Sequence, residues 1–272
     1  ESVIGLIDIP AHKLSISHTN AHLTPKAIRE ALQRFSTHSY TADKNIAVQS
    51  IQDLGEIANP EQNEQQSIET ISAANKELVI ALGGDNSITY AAALGVYGKK
   101  LSTAGLITLD AHHDLRDGNS NGSPVRRLIE AGLNPKQIVQ IGINDFSNSS
   151  DYEQLAHSLG ITVITRTEVA SIGIASACKK ALEIAGASLG PIHVDLDVDV
   201  CDQSVVPACP AAAPGGISAF ELRQAARLLA SNSLVRGLDI TEIDASRDTE
   251  DQRTIRLGAL LVLEAVAGYL SR

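Results

Sequence analysis

Residues Ile192–Asp199 read IHVDLDVD, a short apolar run that turns into a series of alternating aspartates. The run Ile192–Leu196 has the Ile, Val and Leu content that is typical of a strand buried on both faces of a sheet. Residues two apart in a strand point to the same face, so Asp195, Asp197 and Asp199 are predicted to project to one side. The segment therefore predicts a buried strand that delivers carboxylates at its carboxyl end.

Two other segments repeat this arrangement of a buried strand followed by polar groups. The run Leu78–Leu82 precedes GGDNS at Gly83–Ser87, and the run Leu106–Leu109 precedes DAHHD at Asp110–Asp114. In open α/β sheets, ligands bind where the carboxyl ends of the strands meet. Carboxylates and imidazoles gathered at that edge would offer the oxygen and nitrogen ligands that two divalent cations need.

Strand and helix patterns alternate along the whole chain, which is typical of a doubly wound α/β sandwich. Further strands are predicted at Val3–Ile9, Ile138–Ile143, Ile161–Ile164 and Leu234–Ile240. Helices are predicted at Pro25–Phe35, Ile68–Lys76, Pro124–Ala131, Ile174–Ala185, Ala219–Ala230 and Ile255–Leu270, and loops at Asp117–Ser123, Asn144–Asp151 and Pro207–Gly216. No linker or repeat interrupts the pattern, so residues 1–272 are predicted to form a single domain.

The composition argues against several classes of protein. Hydrophobic residues make up 43% and charged residues 20%, which is ordinary for a soluble globular protein. No apolar run reaches the roughly 18 residues that a membrane helix needs, and the opening ESVIGLIDIP lacks the features of a signal peptide. The net charge of −10 argues against a nucleic-acid partner, because no basic surface would attract phosphate. Three cysteines without a paired spacing indicate a reduced cytoplasm.

The order and spacing of the three motifs resemble the arginase, agmatinase and formimidoylglutamase (ureohydrolase) superfamily. Its patterns are GGDHS, DAHxD, and SxDxDxxD followed by a loop of proline and glycine. This chain matches them with GGDNS, DAHHD, and HVDLDVDVCD followed by PACPAAAPGG. The resemblance extends from Ile4 to the C-terminal helix. It implies a three-layer α/β/α sandwich with a mostly parallel sheet and a cluster of two Mn²⁺ ions.

The resemblance also implies a set of six metal ligands for the two ions. Asp110 and Asp195 would bridge the two ions. His112 and Asp197 would complete the first site, and Asp114 and Asn86 would complete the second. Family members have a histidine at the position of Asn86. An amide oxygen binds Mn²⁺ more weakly than an imidazole would at this position, so the second site is expected to be weak or empty.

Catalytic groups follow from the same resemblance. Glu242, in the segment DITEID, matches the glutamate of the family pattern DIxEV, which pairs with the amidinium of the substrate. A carboxylate can bind such a planar cation through two hydrogen bonds. Asn121 stands where arginases carry a catalytic histidine that shuttles protons, which an amide cannot do. Asp114 is the candidate proton carrier.

The segment Gly142–Tyr152, GINDFSNSSDY, resembles the corresponding loop of formimidoylglutamases. Their substrate carries two carboxylates, for which this chain offers candidate contacts in the segments Asn119–Arg127 and Gly142–Tyr152: Asn119, Arg126, Arg127, Asn144 and Asn148. The resemblance therefore implies metal-dependent hydrolysis of N-formimidoyl-L-glutamate to L-glutamate and formamide.

Two alternatives stay open at this point. One is an agmatinase or another ureohydrolase that acts on a guanidino acid. The other is a metal-poor family member without catalytic activity, an interpretation that Asn86 and Asn121 favour. The resemblance implies a small-molecule substrate and, by analogy, a homo-oligomer of three or six subunits.

Overall fold

The computed structural model describes residues 2–41, 43–46 and 51–272, and it is built on one large sheet and one small hairpin. The strands are β1 (Ile4–Ile9), β2 (His38–Ser39), β3 (Lys44–Asn45), β4 (Ile51–Glu56), β5 (Leu78–Gly83), β6 (Gly105–Leu109), β7 (Ile138–Ile143), β8 (Thr162–Thr165), β9 (Ile192–Asp197) and β10 (Val235–Thr241). The large sheet has eight strands in the order β4-β1-β5-β10-β9-β6-β7-β8, all paired in parallel. The hairpin pairs β2 with β3.

The sheet lies between two layers of helices. The helices are α1 (Thr24–Leu32), α2 (Glu64–Ala74), α3 (Ile88–Tyr97), α4 (Pro124–Ala131), α5 (Ser150–Leu159), α6 (Arg166–Ile172), α7 (Ile174–Ala185), α8 (Ala219–Ala230) and α9 (Arg253–Tyr269). On β5, Leu78, Ile80 and Leu82 pack into the core shared with α1, α7, α8 and α9. Val79 and Ala81 point to the other face and pack with α2 and α3. The predicted three-layer α/β/α sandwich is confirmed.

The strands form where the sequence has continuous apolar runs. Every residue of β1, β5, β6, β7 and β9 is buried, because helices cover both faces of these strands. The predicted strands are all present, with small differences at their ends. Of the predicted helices, α2 begins at Glu64, ahead of the predicted Ile68.

Several elements differ from the prediction, including α3, β4 and the start of α5. The helix α3, ITYAAALGVY, lacks a polar face because it is packed between α2 and the sheet, so it shows no amphipathic pattern. The strand β4 is a sheet edge and has mostly exposed polar residues, so it lacks an apolar run. The loop predicted at Asn144–Asp151 is wrong at its end, since α5 begins at Ser150, where the Ser149 side chain accepts a hydrogen bond from the amide of Tyr152.

The strands place their carboxyl ends at a common edge, where the loops after β1 and β5 touch. A Cβ on Gly84 would lie 1.7 Å from the carbonyl oxygen of Ala11, so a side chain cannot be accommodated without moving one of the two loops. The second glycine of the GGDNS motif therefore allows the close approach of the two loops that border the site.

Two further observations concern the composition. Cys178, Cys201 and Cys209 are all buried and form no disulfide, so each packs as a small apolar side chain. Among the described helices, none has both the length and the apolar character required to cross a membrane.

Candidate active site and metal centre

A cavity of about 380 Å³ opens at the carboxyl edge of the sheet. Its walls come from the loops that follow five strands, β1, β6, β7, β9 and β10, as expected for a ligand site in an open α/β sheet. The polar lining residues are Ser17, Thr19, His112, Asp114, Arg116, Asn121, Ser147, Asn148, Ser149, Tyr152, Asp197, Asp199 and Glu242.

Three side chains at the floor of the cavity or directly beneath it converge closely enough to hold a metal ion: His112 and Asp199 line the cavity, and Asp110 lies against His112. Asp110, His112 and Asp199 each offer a ligand atom, and these atoms lie within 4.8 Å of one another. The Nδ1 atom of His112 is 2.8 Å from Oδ2 of Asp199 and 3.5 Å from Oδ1 of Asp110. The convergence arises because Asp110 follows β6 and Asp199 follows the neighbouring β9.

The charges at this floor are strongly perturbed. Burial, reinforced by the neighbouring Asp199, raises the pKa of Asp110 to about 7. Burial also raises the pKa of Asp114 and of Asp197 well above the ordinary value, and adjacent carboxylates add to both shifts. Burial by itself would lower the pKa of His112, but Asp199 and Asp110 raise it to about 12. The buried carboxylates therefore outnumber the cationic groups around them. Their oxygen atoms, together with the His112 imidazole, fit a divalent cation such as Mn²⁺.

Asp195, which the sequence pattern predicts as a bridging ligand, is not brought into this group. It lies inside the sheet opposite Thr108 and Asp239, it does not line the cavity, and neither carboxylate oxygen has a hydrogen-bond partner among the described residues. The reason is its place in β9, which continues to Asp197. The predicted bridging role of Asp195 does not fit this geometry.

The signal for Asp199 is present in the sequence. Matching DxDxxD from Asp195 leaves Val200 at the third aspartate, whereas matching it from Asp197 gives aspartates at all three places, the last being Asp202. Asp197 and Asp199 both line the cavity. The structure therefore favours the register that begins at Asp197.

Asn86 is engaged in hydrogen bonds and does not line the cavity. Its Nδ2 donates to Oδ2 of Asp114 at 2.6 Å. Its Oδ1 accepts from the hydroxyls of Thr89 at 2.7 Å and Thr241 at 3.1 Å. The amide oxygen, which would be the metal ligand, is thus already paired, and the amide nitrogen faces the carboxylate that a second ion would bind.

Glu242 also lines the cavity, and several hydrogen bonds fix its position. Its backbone has a φ of +64°, and its amide donates to the carbonyl of Gly84 at 2.9 Å. Its Oε1 accepts from the backbone amide of Asn86 at 2.7 Å and from Nδ2 of Asn121 at 2.9 Å. Burial, with a contribution from Asp85, raises the pKa of Glu242 to about 8. A carboxyl group with this pKa is mostly protonated at neutral pH, and a cationic ligand beside it would favour the charged form that accepts hydrogen bonds.

The two predicted substrate-binding arginines have other partners and are not among the lining residues of the cavity. Arg126 pairs with Asp117 at 2.6 Å and with Glu130 at 3.1 Å. Arg127 makes two hydrogen bonds of 2.8 Å to Glu64 and also stacks on the ring of Tyr90. Their side chains tie α4 to neighbouring elements of the fold.

The three predicted asparagines have different positions. Asn119 is exposed and does not line the cavity, and Asn144 lines a neighbouring cavity. Asn148 lines both cavities, and its side chain bonds to the backbone of Ala111 and His113. Of these three residues, the structure brings only Asn148 to the main cavity.

Arg116 is a basic lining residue of the cavity that the sequence reasoning missed. Its guanidinium makes no hydrogen bond or ion pair with any described residue and lies 6.0 Å from the centre of the Tyr152 ring. The available signal was its position two residues after Asp114, beyond the end of the DAHHD motif. It provides a free cation at the mouth of an otherwise acidic cavity.

Comparisons with known proteins agree with this architecture. The profile of the arginase family matches residues 2–268. The formimidoylglutamase of Halalkalibacterium halodurans is 36% identical over 277 residues, covering 97% of this chain and 86% of that protein. The crystal structure of formimidoylglutamase from Bacillus subtilis superposes with a TM-score of 0.91 at 33% identity, covering 97% of this chain and 86% of that one.

A more distant solved structure shares the fold. The formiminoglutamase of Trypanosoma cruzi described with Mn²⁺ superposes with a TM-score of 0.90 at 22% identity, covering 100% of this chain and 94% of that one. Together, the family match over nearly the full length and the relatives above 30% identity confirm the resemblance seen in the motifs. The chain belongs to the arginase family.

Proposed function

We propose that residues 1–272 act as one catalytic domain that hydrolyses N-formimidoyl-L-glutamate to L-glutamate and formamide. The observation that carries this proposal is the set of charged groups that line the cavity: buried acidic groups, Glu242 among them, and the exposed Arg116, which makes no ion pair with a described residue. A substrate with an amidine at one end and carboxylates at the other complements those groups. The formimidoylglutamase relatives at 33–36% identity support the same substrate.

The proposed metal site is held by the cluster at the cavity floor. Asp110, His112 and Asp199 would bind one cation, with Asp197 as a further ligand, while Asp114 and Asn86 belong to the second, weaker position. Asp197 and Asp199 thus take the roles that the sequence pattern suggested for Asp195 and Asp197. The manganese described in the Trypanosoma cruzi protein supports Mn²⁺ as the ion. Such ions lower the pKa of water and so make hydroxide available near neutral pH.

The chain's own groups orient the amidine and move the proton. Glu242 accepts hydrogen bonds from the N–H groups of the formimidoyl carbon, which turns that carbon toward the cavity floor. Addition of water across the carbon and cleavage of its bond to the glutamate nitrogen yield formamide and a free amine. Asp114, beside the floor, carries a proton to the departing nitrogen. Asn121 has no proton to shuttle, and its contact with Glu242 gives it a supporting role.

The carboxylates of the substrate are assigned to the cavity mouth. Arg116 lies there with its guanidinium free, while the nearby wall of Ser147, Asn148 and Ser149 offers further polar groups. Guanidinium groups bind carboxylates through charge-assisted hydrogen bonds, often two at a time. We propose Arg116 for the role that the sequence reasoning gave to Arg126 or Arg127.

Agmatine hydrolysis and a non-catalytic role have less support from the residues of this site. Agmatine carries an amine at the end opposite to its guanidinium, and Arg116 would repel that cation. A metal-poor, non-catalytic role has less support, because Asp110, His112 and Asp199 still converge closely enough to hold a cation. By family analogy we propose a trimer or hexamer, and the unpaired cysteines support a cytoplasmic location.

The proposed activity is tested by turnover. The manganese-loaded protein is expected to release glutamate from N-formimidoyl-L-glutamate and to act on agmatine at least about a hundredfold less efficiently, because agmatine loses one charge-assisted pair and gains a repulsion. The measurement compares kcat/KM for both substrates in one assay series. Faster hydrolysis of agmatine would assign the chain to another branch of the family.

Replacing Arg116 by alanine should weaken carboxylate binding. A charge-assisted hydrogen bond contributes about 1.5–3 kcal/mol, so kcat/KM for N-formimidoyl-L-glutamate should fall by about ten- to a hundredfold. The matched control is Arg126→Ala, which removes a nearby arginine already paired with Asp117 and Glu130 and should change kcat/KM by less than about threefold. Equal effects of the two substitutions would contradict the assignment of Arg116.

Two aspartate variants distinguish the possible registers of the metal ligands. Asp199→Asn should weaken manganese binding by at least about a hundredfold, because it removes a charged ligand from the cluster at the floor. Asp195→Asn should weaken it by less than about tenfold, because this side chain lies inside the sheet. Elemental analysis after dialysis against graded manganese concentrations measures both. If only the Asp195 variant lost manganese, the ligands would instead be Asp195 and Asp197, as the sequence pattern suggested.

The variant Asn86→His should strengthen the second metal position. The imidazole supplies a ligand nitrogen where the present amide is held by Thr89 and Thr241, so manganese bound per chain at limiting manganese should rise toward two. Asn119→His adds the same group on an exposed loop and should leave the manganese content unchanged. Wild-type protein that already binds two ions with equal affinity would show that Asn86 does not weaken the second position.

A further inference from the structure

The carboxylate of Glu242 offers its two oxygens unequally to a ligand. Its Oε1 already accepts two hydrogen bonds, at 2.7 Å from the backbone amide of Asn86 and at 2.9 Å from Nδ2 of Asn121. No described residue donates to Oε2. A carboxylate oxygen has about two lone-pair directions, so Oε1 is saturated and Oε2 alone is left for the substrate.

The orientation of the Asn121 amide is fixed by its other contacts. Its Oδ1 accepts a hydrogen bond from the amide of Ile16 at 3.0 Å, and its own backbone amide donates to the carbonyl of Leu14 at 3.1 Å. With the oxygen bound to Ile16, the amide NH₂ must face Glu242. The loop after β1 therefore holds Asn121 in the one orientation that occupies Oε1.

This arrangement matters because the candidate substrates differ in their number of donors. A protonated formimidoyl group has three N–H bonds and a C–H bond, whereas a guanidinium group has an NH₂ in place of that C–H and therefore five N–H bonds. Each donor that is buried without an acceptor weakens binding. A cavity wall with one available carboxylate oxygen therefore suits the amidine better than the guanidinium.

We propose that Asn121 is a specificity-determining residue, which saturates Oε1 of Glu242 and thereby disfavours guanidino substrates relative to formimidoyl substrates. The inference rests on the proposed function, since it concerns the choice of substrate at the same site. It assigns Asn121 a positioning role that needs no proton transfer.

Two substrates that differ at one group test the proposal: N-formimidoyl-L-glutamate and its guanidino counterpart, N-carbamimidoyl-L-glutamate. The wild type should prefer the first. Asn121→Ala frees Oε1, so the ratio of the two kcat/KM values should fall by about tenfold or more. The variant should also bind the guanidino compound more tightly by titration calorimetry, a change that general loosening of the site would not produce.

Asn121→Leu provides the second variant. Its side chain has about the size of asparagine but carries no donor for Glu242, so Oε1 is freed while the volume at this position is kept. The ratio of the two kcat/KM values should therefore also fall. Ser120→Ala is the matched control, because it alters the same loop through the Ser120–Ser123 contact without touching Glu242, and it should leave the ratio within about twofold.

The possible outcomes separate the inference from the proposed function. No hydrolysis of N-formimidoyl-L-glutamate by the loaded wild type would refute the function. If the wild type hydrolyses it but treats the guanidino counterpart equally well, or if the ratio is unchanged in both Asn121 variants, the function stands and the role of Asn121 is wrong. A lower ratio in either variant, with Ser120→Ala unchanged, supports the proposal.

Discussion

Repulsion between buried carboxylates is the constraint on which this structure depends. The parallel sheet brings Asp110, Asp114, Asp197 and Asp199 to one edge, where burial penalises each charge and each neighbour adds to the penalty. His112 offsets part of this repulsion through Asp199 and Asp110. The apolar strands below must supply the stability that this edge removes, as functional sites generally require of their scaffolds. A cation bound at the edge would add to the stability of the folded state.

Much of the architecture could be predicted from the sequence, because strands buried on both faces have to be continuously apolar. The ends of those strands then located the site, since parallel strands place their carboxyl ends together. The metal ligands at the end of β9 could not be identified from the alternation of aspartates alone. A match that starts at Asp195 and one that starts at Asp197 both place aspartates at the first two positions of the family pattern. Only the second match also has an aspartate, Asp202, at the third position. In the structure, β9 extends to Asp197, so Asp195 lies inside the sheet while Asp197 and Asp199 reach the cavity.

The remaining features depend on contacts that are distant in sequence. The pairing of Arg127 with Glu64 joins residues 63 positions apart, and no local pattern shows that this arginine is occupied while Arg116 is free. The elements α3 and β4 escaped prediction for opposite reasons, the first because it is buried all round and the second because it is exposed at an edge. Amphipathic patterns identify elements with regular apolar and polar faces. The helix α3 has no polar face, and β4 contributes only Ile51 and Leu54 to the core.

The two edges of the sheet have a consequence for the protein at high concentration. An open strand edge is a template on which other chains can assemble into aggregates. In this sheet β4 carries the exposed acids Asp53 and Glu56, and Gly55 departs from extended geometry with a φ of +83°. The opposite edge, β8, is only four residues long. Charge, irregular backbone and short length thus make both edges poor seeds for fibril growth, so an eight-stranded sheet can remain dispersed in a crowded solution.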